Sequence, residues 1–97
     1  MHSNNLKSLH GIEQFKSLVE FNASCNSIFD LSGLASLKTL EILNLSTNKI
    51  SSIPKFVFLK MERLHSIDFS HNEIESLEAF RGIKSQIDTI VLKDNYI

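Results

Sequence analysis

The stretch Leu40-Glu41-Ile42-Leu43-Asn44-Leu45-Ser46-Thr47-Asn48 sets apolar residues at 40, 43 and 45, closes on an asparagine, and is followed by Ile50. The same skeleton recurs on both sides of it. Leu18, Phe21, Ala23, Asn26 and Ile28 form the rung before. Leu64, Ile67, Phe69, Asn72 and Ile74 form the rung after, and Ile87, Ile90, Leu92, Asn95 and Ile97 form another. Asn4 and Leu6 fit the tail of an earlier rung. The asparagines at 4, 26, 48, 72 and 95 stand 22, 22, 24 and 23 positions apart. Such a period belongs to stacked supersecondary units, not to a lone helix or strand.

Between the asparagines the apolar residues also fall into columns. Leu9, Leu31, Ile53 and Leu77 lie five positions after each Asn, and Ile12, Leu34, Phe56 and Phe80 lie eight after. Phe15, Leu37, Leu59 and Ile83 follow at eleven. Around Phe21, Leu43, Ile67 and Ile90, apolar residues alternate with polar ones, which predicts short strands with one buried face, paired in parallel from rung to rung. After each strand the chain turns inward, where its backbone groups leave the sheet. An Asn side chain offers both donor and acceptor, so a column of them satisfies those groups in its own and the neighbouring turn. Asn26, Asn48, Asn72 and Asn95 are therefore expected to form a structural ladder.

This pattern resembles the leucine-rich repeat family over nearly the whole chain. The resemblance implies an α/β solenoid, with a curved parallel sheet on the concave side and short helical or irregular segments on the convex side. The rungs starting at Leu18 and Leu40 are similar to the short, intracellular, phosphatase-regulatory subclass. The rung from Leu40 to Arg63 is longer, and its Ile53-Pro54, Phe58 and Met61 resemble the subclass in which a Phe packs inside the convex side. The segment 54–63, with a proline suited to a first helical turn, is the best helix candidate. The regions around Gly33 and Gly82 read as tight turns or short 3-10 pieces. A single domain over 1–97 is expected, with a partial repeat at 1–17, repeats starting at 18, 40 and 64, and a partial one at 87. A solenoid needs polar caps at its ends, and neither end of the sequence has one. The expectation is a segment of a longer repeat protein; the alternative is closure of the open ends by self-association or by a partner.

Composition narrows the classes of function. The chain has 97 residues, 42% of them hydrophobic and 22% charged, as suits one folded domain. A formal net charge of -1 argues against a nucleic-acid partner, which would need clustered cations against phosphates. Cys25 is the single cysteine, which excludes an internal disulfide. No Cys/His grouping has zinc-site spacing, so neither metal nor cofactor is expected. The N-terminus lacks a signal peptide's features, and no apolar run approaches the roughly 20 residues of a membrane span. A cytoplasmic or nuclear chain is expected.

The resemblance places partner binding on the concave face, through the outward side chains of the strands. Matched position by position, these are Val19, Glu20, Asn22, Ser24 and Cys25, then Glu41, Ile42, Asn44, Ser46 and Thr47. His65, Ser66, Asp68, Ser70 and His71 follow, and then Asp88, Thr89, Val91, Lys93 and Asp94. Glu20, Glu41, Asp68, Asp88 and Asp94 stand there against Lys93 alone, a balance that suits a basic segment of another protein. The same charges also read as a solvated face. Cys25, Thr47, His71 and Asp94 share one column, so His71 and Asp94 are expected to pair across adjacent strands. Cys25 and His71 lie two strands apart, on the order of 9 to 10 Å, too far for a nucleophile and its base. No phosphate loop, nucleophile elbow or pair of catalytic carboxylates is found, and no enzyme is expected. Phe29 should face outward, as a partner anchor or as a lone exposed aromatic. His2 and His10 read as surface residues. Asn22-Ala23-Ser24 and Asn44-Leu45-Ser46 fit the N-glycosylation pattern, although the resemblance accounts for Asn and Ser at these positions. The leading reading is an intracellular adaptor or regulatory subunit. The alternative, which glycans would favour, is a repeat segment of a cell-surface receptor ectodomain, because fold alone does not fix function.

Overall fold

The computed structural model describes residues 11–15, 17–31, 33–54, 57–80 and 87–96. The expectations for His2, Asn4, Leu6, Leu9, His10, Phe56, Gly82, Ile83 and Ile97, and for the side chain of Leu59, lie outside the described residues. Four short strands, β1 (Glu20–Asn22), β2 (Ile42–Asn44), β3 (Ser66–Asp68) and β4 (Thr89–Val91), form one sheet in chain order. All three pairings are parallel, and their register places Phe21, Leu43, Ile67 and Ile90 in a single row. The period seen in the sequence is thus one strand per rung.

Parallel neighbours require a crossover, and a rung of 22 to 24 residues leaves room for little more than one helical turn. The crossovers accordingly carry 3-10 turns: η1 (Ile12–Gln14), η2 (Leu34–Ser36), η3 (Val57–Lys60) and η4 (Glu78–Phe80). No α-helix occurs among the described residues. The helix candidate at 54–63 is narrowed to η3, flanked by three-residue bonds from Val57 N–H to Pro54 O and from Met61 N–H to Phe58 O. The turn expected at Gly33 is present, and the glycine enters η2 at φ 90°, a left-handed geometry it adopts without steric cost.

The core runs through all the rungs. Leu34, Leu37, Leu40, Leu45, Ile50, Met61, Leu64, Ile67 and Phe69 are fully buried within it. Phe58 is also buried, as the resemblance implied, and its ring stacks on Phe80 at 5.3 Å and meets Phe69 at 6.1 Å. Offset and edge contacts of this kind add to the burial of the rings themselves. Two members of the apolar columns depart from expectation. Leu77 is 44% exposed, because in its rung Ala79 turns inward and Phe80 packs on the core in its stead. Phe15 is 48% exposed at the end of η1, whereas Leu37, in the same column with a described rung on each side, is fully buried.

The asparagine column does what its chemistry allows. The Oδ1 atoms of Asn48, Asn72 and Asn95 accept the N–H groups of Ile28, Ile50 and Ile74 in the preceding rung, at 3.0, 3.0 and 2.9 Å. Their Nδ2 groups donate back to Ala23, Leu45 and Phe69 of that rung, and also to carbonyls of their own. Asn26 donates in the same way to Ala23 and Ser24. The residue just before each of these asparagines, Cys25, Thr47, His71 or Asp94, has φ between 56° and 59°. This left-handed step directs the chain inward and was not anticipated.

Candidate protein-interaction surface

The register fixes what the outward face of the sheet presents. One row across it is Glu20, Ile42, Ser66 and Thr89; the next is Asn22, Asn44, Asp68 and Val91. Glu41, His65 and Asp88 enter the strands just before these rows, each donating its N–H to the rung before, at Val19, Glu41 and His65 respectively. Ile42, Asn44, Ser66, Asp68 and Val91 are half-buried, while Glu20, Asn22, Asp88, Thr89, Lys93 and Asp94 are exposed. Of the residues placed on this face by pattern, Glu20, Asn22, Ile42, Asn44, Ser66, Asp68, Thr89 and Val91 lie in the strands, and the others flank them. Ser24 and Ser70 are buried, which removes them from the accessible set, and Ser46 is half-buried.

All three serines close local turns. Asn22 Oδ1 accepts the Ser24 N–H at 3.0 Å. Asn44 Oδ1 accepts both the N–H and the hydroxyl of Ser46, at 3.0 and 2.8 Å. Asp68 Oδ1 accepts the same two groups of Ser70, at 2.9 and 2.7 Å. These are side-chain turns of the kind Asn and Asp favour. The signal was present as the triplets at 22–24, 44–46 and 68–70. The first two also fit the glycan-acceptor pattern, but in all three an oxygen of the Asn or Asp is used within its own turn. In the fourth rung Val91 and Lys93 occupy the corresponding positions.

Electrostatically the face divides in two. Glu41 Oε1 lies 3.7 Å from His65 Nε2, and Asp94 Oδ2 lies 3.1 Å from His71 Nδ1, the cross-strand pair read from the column. Glu20, Asp68 and Asp88 have no cationic or imidazole partner recorded among the described residues; Asp88 accepts the Thr89 hydroxyl at 3.1 Å. Among the described residues, the acidic excess is therefore only partly met. Away from this face, Phe29 is 58% exposed beside a groove of about 310 Å³ bordered by Asp30, Leu31, Ser52, Ile53 and Pro54. A second groove, of about 410 Å³, runs beside β1 over Phe15, Leu18 and Phe21. Cys25 is a free, exposed thiol. Among the described residues no group of His, Cys, Asp and Glu has the arrangement of a metal site, and no helix is long and apolar enough to cross a membrane.

Comparison with known proteins bears on the fold and the family. A family model described as leucine rich repeat matches residues 38–97. The fold is similar to a chain in the crystal structure of the Drosophila melanogaster SNF/U2A' complex, with a TM-score of 0.74 and 25% sequence identity. The match covers 87% of this chain and 49% of that one, so this chain spans about half the length of its structural neighbour. No curated protein matches the sequence.

Proposed function

The chain belongs to the leucine-rich repeat family, and from that premise we propose that this protein-interaction module holds its partner on the concave, outward face of the sheet. The observation that supports this most directly is the unbalanced charge there. Glu20, Asp68 and Asp88 stand among half-buried Ile42 and Val91, a mixture of apolar and acidic groups suited to a basic segment of another protein. The module acts as an adaptor or regulatory subunit in the cytosol or nucleus. The lone free cysteine fits a reducing compartment, and the structural neighbour was itself solved in a complex. No nucleic acid, membrane or cofactor is part of this reading.

Reversing charge at two exposed positions, Glu20→Lys with Asp88→Lys, tests it. Asp68 is less suited to reversal because its carboxylate also closes the Ser70 turn. The double variant should melt like the parent and lose most of the partner captured from cell extracts. If capture survives the reversal but is lost with Phe29→Ala, the partner sits over the groove beside Phe29 and the concave face is the wrong surface.

A further inference from the structure

We infer that the centre of the sheet face is a seat for one lysine side chain of an extended partner segment, with Ser66 as its floor and Asp68 as its acceptor. This rests on the concave-face reading and adds to it a position and a residue type. The register aligns Ile42, Ser66 and Thr89 in one row and Asn44, Asp68 and Val91 in the next. Ser66 and Asp68 are two residues apart on β3 and so project from the same side of the sheet. The smallest side chain of its row therefore stands between the apolar Ile42 and the methyl-bearing Thr89, with a carboxylate one step along the strand. A long aliphatic stem laid over Ser66 would pack against Ile42 on one flank and Thr89 on the other while its charged end reaches Asp68.

The chemistry favours lysine over arginine. A guanidinium is held best as a fork on both carboxylate oxygens. In Asp68 one oxygen already accepts two donors from Ser70, at 2.9 and 2.7 Å, which leaves the other for a single-point contact. A compact ammonium makes such a contact without needing the second oxygen. Glu41 and Asp94 are less available, since each already lies near a histidine.

The probe is an extended peptide, Gly-Gly-Lys-Gly-Gly blocked at both ends, titrated into the full chain carrying isotope labels for nuclear magnetic resonance. Saturable shifts at Ile42, Ser66, Asp68 and Thr89 are expected. Acetylating the peptide's lysine should abolish them, and the arginine peptide should bind no more tightly. Asp68→Asn retains the turn to Ser70, as Asn22 and Asn44 do in their own rungs, and should weaken binding about fivefold. Ser66→Phe fills the floor and should abolish binding while Asp68 keeps its charge. Shifts centred on Glu20 and unchanged by Asp68→Asn would overturn the seat but leave the concave-face reading standing. Shifts confined to the surroundings of Phe29 would overturn both, and no saturable shift at millimolar peptide would overturn the seat.

Discussion

Asn48 makes four hydrogen bonds through one side chain: it accepts from Ile28 N–H and donates to the carbonyls of Ala23, Leu45 and Ser46. It is buried, so water cannot replace them when the amide is removed. Asn48→Ala or Asn72→Ala should therefore cost about 1–3 kcal/mol, the penalty for stranding buried backbone partners. Urea unfolding reads the loss, and an unchanged midpoint for either variant contradicts the ladder. Thr47, one residue earlier, carries a strain of its own. Its φ of 57° is unfavourable for a β-branched side chain, whereas asparagine tolerates that region. Thr47→Asn should stabilise the fold by about 1 kcal/mol, seen as a higher melting temperature; a lower one would show that the Thr side chain is held by something that offsets its strain. The asparagines were legible in the sequence because one side-chain chemistry recurs at one spacing. The left-handed step was not legible, since Cys25, Thr47, His71 and Asp94 share a backbone shape and no side-chain chemistry.

At the level of the element, the strands were readable from alternation and the crossovers only in outline. Apolar columns report which residues lie near the core, but a one-turn 3-10 segment can rotate to bury a neighbour instead. Leu77 and Ala79 show this: the larger residue occupies the column and the smaller one is buried. In η3 the outcome was better determined, because a bulky ring has few places to go. Phe58 is 2% exposed and joins Phe69 of the third rung to Phe80 of the next crossover. Phe58→Ala opens a cavity beside the Phe69 and Phe80 rings and should cost about 3–5 kcal/mol in urea unfolding. Phe58→Leu should recover most of that loss, since it restores much of the volume. If both variants cost the same, the ring stacking rather than the filled volume is what stabilises this crossover. The Gly33 turn was also readable, because few residues other than glycine adopt its φ of 90° readily.

Across the whole molecule, contacts between elements follow one rule. Among the described residues, strands approach other strands only in adjacent rungs, and 3-10 turns approach other turns only in adjacent rungs, while strand and turn side chains share one core. Stability should then be close to a sum of interfaces between neighbours, with no term linking distant rungs. The row through the middle of the core allows this to be tested with one kind of substitution. Leu43 and Ile67 are 1% and 0% exposed, each lying between two described strands, while Ile90 on β4 is 39% exposed. Leu43→Ala and Ile67→Ala each disturb two interfaces and should cost about 2–5 kcal/mol. Ile90→Ala removes a side chain already partly in water, so its cost should be nearer 1 kcal/mol. Backbone amides should grade in the same sense, with those of β4 exchanging with solvent faster than those of β2 and β3. Denaturant unfolding of the three variants, joined to hydrogen exchange on the parent, separates this picture from a single indivisible core. Equal costs at all three positions and uniform exchange would mean that the rungs fold and fail as one unit. A graded response would mean that β4 opens locally while β2 and β3, where Ser66 and Asp68 sit, stay ordered and able to hold a partner.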